Sequence, residues 1–187
     1  MIKVIKNFLT EEECSQIIKS NETQLKHTNL VTETNHTPYN TSKRECLNTY
    51  TDVDNLKERV TSIVSQDYQD LKINNPVAKL PFELLKYETG HHFEWHSDVV
   101  NKKRTREILT CIIFLNNQYK GGNLLIKEEN VTHIIPKSIG TLCIFPSKYI
   151  HKVTKIEKGQ RYTICCWYHK KFQHKKLDCL DIACGKG

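Results

Sequence analysis

The sequence predicts a mainly β fold with flanking helices, an antiparallel sandwich or barrel with two N-terminal helices packed on one face. Three observations carry this. After Pro76 the chain breaks into short runs rich in Ile, Leu, Val, Phe, Tyr and Trp, separated by Gly, Pro, Asn and charged residues at about ten-residue spacing, as in all-β domains. Between those runs no stretch shows helical periodicity, whereas two segments before Pro76 do. The 187 residues, 38% hydrophobic and 26% charged, suit a single globular domain able to bury its own core.

Taken in order, Thr10 and Glu13 are spaced as a capping box, and Cys14, Ile17, Ile18 and Leu25 recur near helical spacing. They predict a helix from Thr10 to about Thr23. Residues Asn29 to Tyr50 are rich in Thr, Asn and Ser with Pro38, which reads as a long loop with room for one edge strand. A second helix follows Asp52, with Leu56, Val60, Ile63 and Val64 on one face. The candidate strands are then Phe82 to Tyr87, His92 to His96, Ile108 to Leu115, Asn123 to Ile126, Thr132 to Ile135, Thr141 to Phe145, Ile150 to Val153 and Arg161 to His169.

Lys and Arg number 28 against 21 Asp and Glu, a net charge of +7. That excess favours acidic partners without naming one and is no nucleic-acid signature by itself. No apolar run approaches the roughly 20 residues of a membrane helix, and the start MIKVIKNFLTEEE lacks the apolar region and cleavage site of a secretory signal. A cytoplasmic, reducing compartment is expected. Cys111, Cys143, Cys165 and Cys166 lie in apolar runs, where cysteine acts as a small buried hydrophobe with a free thiol. Cys179 and Cys184 have no matching second pair that would make a zinc site.

Most of the nine histidines need no special role. His96 stands two residues before Asp98, and residues i and i+2 of an extended chain point to the same side, so an imidazole and a carboxylate can converge on one ion. His151, at the start of a late strand, is the candidate third ligand. Two histidines and one carboxylate form a facial set that leaves open positions on Fe(II). Taken alone, a His-x-Asp pair is weak evidence for a metal, and an ordinary surface pair is the better reading.

The surrounding motifs go further. YETGHHFEWHSD (Tyr87 to Asp98), ILTCIIFLNNQYKGGNLLI (Ile108 to Ile126) and IFPSKYIHKVTKIEKGQRYTICCWY (Ile144 to Tyr168) resemble, in order, the motifs of the 2-oxoglutarate and Fe(II)-dependent dioxygenases of the prolyl 4-hydroxylase type. The resemblance implies a double-stranded β-helix, the jelly roll of cupin-like proteins. It makes His96, Asp98 and His151 the iron ligands and the catalytic centre. Arg161, ten residues after His151, becomes the cation for the distal carboxylate of 2-oxoglutarate; a guanidinium pairs bidentately with a carboxylate and stays charged when buried. Tyr87 and Thr163 match hydroxyls that contact the co-substrate, and Trp167 matches an aromatic pocket wall. Phe114 falls near a tyrosine of the animal oxygen-sensing enzymes, so one co-substrate hydrogen bond is expected to be missing. Arginine at 161, where collagen prolyl hydroxylases use lysine, sets the chain nearer the oxygen-sensing and bacterial types.

The implied activity is that of a prolyl hydroxylase-like oxidoreductase. Fe(II), 2-oxoglutarate and O2, with ascorbate as auxiliary reductant, would couple decarboxylation to succinate with C–H hydroxylation of a protein or peptide substrate. Lys102, Lys103, Arg104 and Arg106 follow Asp98 in a loop that covers the substrate in similar enzymes. Their charge suits an acidic peptide or a nucleic acid phosphate, so an RNA-modifying oxygenase is the alternative. The last ten residues, DCLDIACGKG, resemble the first strand and glycine loop of S-adenosylmethionine-dependent methyltransferases of the mRNA cap guanine-N7 type. The expected organisation is a dioxygenase domain over 1–172, helical in its N-terminal region over 1–75 and with a β core over 76–169. A linker and the truncated start of a methyltransferase domain would occupy 173–187, a fusion for which a large DNA virus is one plausible source.

Overall fold

The computed structural model describes residues 1–27, 30–31, 36–37, 42–68, 77–78, 82–99, 101–102 and 105–171. Its main strands are β1 (Lys3–Ile5), β2 (Leu47–Thr51), β3 (Phe82–Tyr87), β4 (His92–His96), β5 (Thr105–Phe114), β6 (Leu124–Glu128), β7 (Val131–Ile134), β8 (Leu142–Pro146), β9 (His151–Val153) and β10 (Arg161–Lys171), with helices α1 (Glu11–Asn21) and α2 (Leu56–Asp67). The larger sheet runs β1-β8-β5-β10-β3-β2 and the smaller β7-β6-β9-β4, each extended by short strands. Every pairing is antiparallel among the described strands.

Local chemistry explains the helices. Thr10 Oγ1 accepts the Glu13 N–H at 3.1 Å and Glu13 Oε2 accepts the Thr10 N–H at 2.7 Å, so the capping box closes and α1 starts there. In α2, Leu56, Val60 and Val64 are buried one turn apart. Both helices cover one face of the larger sheet, against Leu84, Cys111, Ile113, Ile144 and Ile164. Alternate residues of the same strands, Leu85, Ile112, Phe114, Cys143 and Cys165, point the other way and share a core with Leu124, Ile126 and Val153 of the smaller sheet. A sheet buried on both faces reads as an unbroken apolar run rather than an alternating one, which is why ILTCIIF carries no polar face. The cysteines at 111, 143, 165 and 166 are buried free thiols.

The segment read as a long loop with room for one edge strand contributes β2, paired along its length with β3 from Leu47 opposite Lys86 to Thr51 opposite Phe82, and a second short stretch, Arg44–Glu45, pairs with β4. Only Thr51 of β2 is buried, so the strand has no apolar alternation to announce it. β1, which the sequence pattern does not predict, pairs with β8. In the basic segment after Asp98, Asn101–Lys102 pairs antiparallel with Thr105–Arg106, and β5 therefore begins before Ile108; Lys103 and Arg104 lie outside the described residues. Residues 172–187, with the methyltransferase-like tail, lie outside the described residues. No helix among the described residues is long and apolar enough to cross a membrane.

Candidate metal centre

β4 and β9 are neighbours, and their register sets His96 opposite His151. Asp98 follows just after β4 has ended, and its backbone N–H donates to Ser147 O at 3.0 Å, which secures the segment beside the two imidazoles. His96 Nε2 lies 3.5 Å from Asp98 Oδ1, and His151 Nε2 3.5 Å from Asp98 Oδ2. One ligand atom from each residue falls within 4.8 Å of the others, the sole such grouping of three among the described residues.

The backbone sets the tautomers. His96 Nδ1–H donates to Glu94 O at 2.7 Å and His151 Nδ1–H to Tyr149 O at 3.0 Å. A carbonyl can only accept, so each Nε2 keeps its lone pair for a cation. Burial, reinforced by His151 and opposed by Asp98, lowers the His96 pKa to about 4; the ligand form is therefore the resting form at neutral pH. Burial works against the charge on Asp98, but the two imidazoles and two hydrogen bonds outweigh it and hold the carboxyl below its usual range.

Those two hydrogen bonds come from the larger sheet. Trp167 Nε1–H donates to Asp98 Oδ2 at 3.0 Å and Thr110 Oγ1–H to the same oxygen at 2.8 Å, with Thr110 3.0 Å from Ser147 Oγ. Aromatic rings fix the imidazole planes. Phe93 stacks on His96 with centroids 3.5 Å apart and planes 13° apart, and Phe145 meets His151 edge-on at 4.9 Å. The Arg44 guanidinium carbon lies 4.7 Å from the Phe93 ring centroid.

Along β10 the inward positions step from Trp167 through Cys165 and Thr163 to Arg161. Arg161 is 1% exposed and stands opposite Tyr87. Its guanidinium carbon lies 5.1 Å from the Tyr87 ring centroid and 5.3 Å from that of Phe114. Nη1 donates to Thr163 Oγ1 at 3.3 Å, whereas Nε and Nη2 are buried without a hydrogen-bond partner. Burial pushes the Tyr87 hydroxyl well above its ordinary pKa, so it stays protonated. A buried guanidinium with idle donors is costly unless an anion meets it.

The fold thus gathers His96, Asp98 and His151 in one cluster and Arg161, Tyr87 and Thr163 in a second. Trp167, expected as a pocket wall, reaches the first cluster by its hydrogen bond to Asp98. Two imidazole nitrogens and a carboxylate suit Fe(II), and the idle edge of Arg161 suits a carboxylate. Sequence reasoning missed Thr110 and Ser147. Thr110 had a signal: it interrupts the apolar run ILTCIIF and shares the parity of Ile112 and Phe114.

Residues 82–169 match the family model of the 2OG-Fe(II) oxygenase superfamily. A PKHD-type hydroxylase from Prochlorococcus marinus is 33% identical over 89 residues, covering 46% of this chain and 40% of that protein. A Pseudomonas putida prolyl-4-hydroxylase structure aligns with a TM-score of 0.65 at 16% identity, over 91% of this chain and 93% of that one. A prolyl hydroxylase in complex with a hypoxia inducible factor oxygen degradation domain peptide fragment, from Trichoplax adhaerens, aligns with a TM-score of 0.65 at 20% identity, over 89% and 82%. The fold is the jelly roll of these structures. The chain spans about half the length of the curated relatives it matches.

Proposed function

We propose that this chain, whose β core is of the 2OG-Fe(II) oxygenase type, is an Fe(II)- and 2-oxoglutarate-dependent, prolyl 4-hydroxylase-like dioxygenase acting on a proline-containing peptide or protein. The observation that carries the reading is the convergence of His96, Asp98 and His151, each with a ligand atom turned to a common point. The peptide class is supported by the Trichoplax structure, which holds a peptide fragment. Nothing in the described residues favours RNA. On this reading residues 1–172 form one dioxygenase domain, and the buried free thiols, like Fe(II) itself, suit a reducing compartment.

His96 and His151 would hold the metal through Nε2 and Asp98 through a carboxylate oxygen. When bound, iron with 2-oxoglutarate and O2 supplies the oxidation, yielding succinate, CO2 and a hydroxylated C–H position. The chain's own contribution is positioning. Trp167 and Thr110 restrain the carboxylate by binding Oδ2, Phe93 and Phe145 fix the rings, and Arg161 anchors the co-substrate's far end. Leu85, Ile112 and Phe114 keep the interior apolar, which strengthens each of these polar contacts.

The test is anaerobic binding of Fe(II) and 2-oxoglutarate, then admission of O2 with a panel of proline-containing peptides and a panel of RNAs. Peptide-dependent succinate release with a 16 Da gain on the peptide, about one oxygen atom, is the expected result. Stimulation by RNA alone would replace the substrate class, and folded protein that binds neither metal nor co-substrate would overturn the reading.

A further inference from the structure

The cluster around Arg161 contains one more buried donor, to which the quoted motifs assign no role and which the proposed reaction does not use. Tyr119 is 7% exposed, and its hydroxyl is buried with no hydrogen-bond partner. Its ring and the stem of Arg161 close on one point. Gly122 adopts φ +59°, and a Cβ built there would lie 3.1 Å from Tyr119 Cε2 and 3.2 Å from Arg161 Cδ. The glycine is therefore what lets these two side chains approach each other.

The unpaired atoms share a logic. In a guanidinium, Nε and Nη2 form one edge whose N–H bonds run parallel, the fork that grips a carboxylate with two hydrogen bonds. Those are the two nitrogens of Arg161 left without partners, while Nη1 is held by Thr163. A carboxylate seated on that edge still has lone pairs free, and these call for another donor. Phe114, whose ring lies 5.3 Å from the guanidinium carbon, has no hydroxyl to offer. Burial raises the Tyr119 pKa, opposed by the charge of Arg161 and by the guanidinium's approach to the phenol oxygen; that approach engages the oxygen's lone pair, so the hydroxyl proton is still free to donate at neutral pH.

We propose that Tyr119 donates a hydrogen bond to the same distal carboxylate that the Nε and Nη2 edge of Arg161 binds, supplying from the neighbouring loop the hydroxyl that Phe114 lacks. The inference rests on the 2-oxoglutarate reading above and adds to it a positioning residue that selects a dicarboxylate co-substrate. Three buried donors without partners become satisfied by one ligand.

The test compares two ligands with the same chelating end, 2-oxoglutarate and 2-oxopentanoate, which lacks the distal carboxylate. Each is titrated anaerobically into the Fe(II)-loaded protein and followed by the metal-to-ligand charge-transfer band. For Tyr119→Phe the expected result is about tenfold or more weaker 2-oxoglutarate binding, the size of one hydrogen bond to a charged group, with 2-oxopentanoate unchanged. Adding Phe114→Tyr to that variant should restore some of the loss. Equal 2-oxoglutarate affinity in wild type and Tyr119→Phe would overturn the role of Tyr119 while leaving the co-substrate reading intact, and so would equal weakening of both ligands, which marks a packing role. Wild-type protein that binds 2-oxopentanoate as tightly as 2-oxoglutarate would remove the distal site itself.

Discussion

Trp167 Nε1 lies 3.0 Å from Asp98 Oδ2, so an indole on the larger sheet restrains a carboxylate that belongs, through β4, to the smaller one. This bond and that of Thr110 tie the two halves of the sandwich together at the candidate metal centre. Partners of this kind orient a ligand and tune its charge, and losing one costs about 10- to 100-fold in metal affinity. Trp167→Phe keeps the ring volume roughly and removes the donor. Manganese titration followed by electron paramagnetic resonance should show a dissociation constant raised at least about tenfold; an unchanged constant would reduce Trp167 to a wall of the cavity.

Removing a ligand should act on binding rather than on folding. Asp98→Ala and His151→Ala should each abolish stoichiometric Fe(II) or Mn(II) binding and all succinate release while leaving the circular dichroism of the sheets intact, because each change removes a side chain at or just beyond a strand end and leaves the backbone pairing of the strands in place. Near-wild-type turnover in either variant would defeat the ligand assignment.

The fold was legible where burial left a pattern. The strands Phe82 to Tyr87 and His92 to His96 have the expected bounds, and α1 begins at the capping box that Thr10 and Glu13 announced. β2 was legible only as room for an edge strand and not in its position, since four of its five residues are not buried and its Asn and Thr content resembles a loop; its partner β3 makes it a strand. The candidate roles of His96, Asp98, His151 and Arg161 came from the resemblance of the surrounding motifs to the dioxygenases, since the His-x-Asp spacing alone does not decide them. The idle Arg161 edge, the Tyr119 hydroxyl and the Thr110 bond depend on how strands from distant regions of the chain face one another, and local spacing carries no record of that.

Arg161→Ala should weaken 2-oxoglutarate binding by about two orders of magnitude, the loss of a bidentate charge-assisted pair in a buried site, with little effect on metal affinity. Isothermal titration of the Mn(II)-loaded protein separates the two. Equal affinity in the variant would show that the distal carboxylate lies elsewhere.

Gly122 should tolerate no side chain. At φ +59° a Cβ would stand 2.3 Å from Ile156 Cδ1 as well as against Tyr119 and Arg161. Gly122→Ala combines left-handed backbone strain with overpacking, and about 1–3 kcal/mol of stability should be lost. Urea unfolding reads the loss directly, and a midpoint equal to wild type would mean that the site can open around a methyl group.

The buried thiols make the fold sensitive to alkali in a direction that can be worked out. Cys143 is fully buried, and burial pushes its thiol from 9.0 up to about 12. Between those values the unfolded chain has released a proton that the folded chain keeps, so raising the pH favours unfolding. The contribution is intact below about pH 9 and is lost progressively toward pH 12, at about 1.4 kcal/mol per pH unit for one such group. Cys143→Ala removes this group at the cost of a small cavity, lowering stability at pH 8 but flattening its fall above pH 9. Urea midpoints from pH 8 to pH 11 should therefore converge for the two proteins; parallel curves would mean that the Cys143 thiol does not control alkaline unfolding and that other buried groups, the tyrosines among them, do.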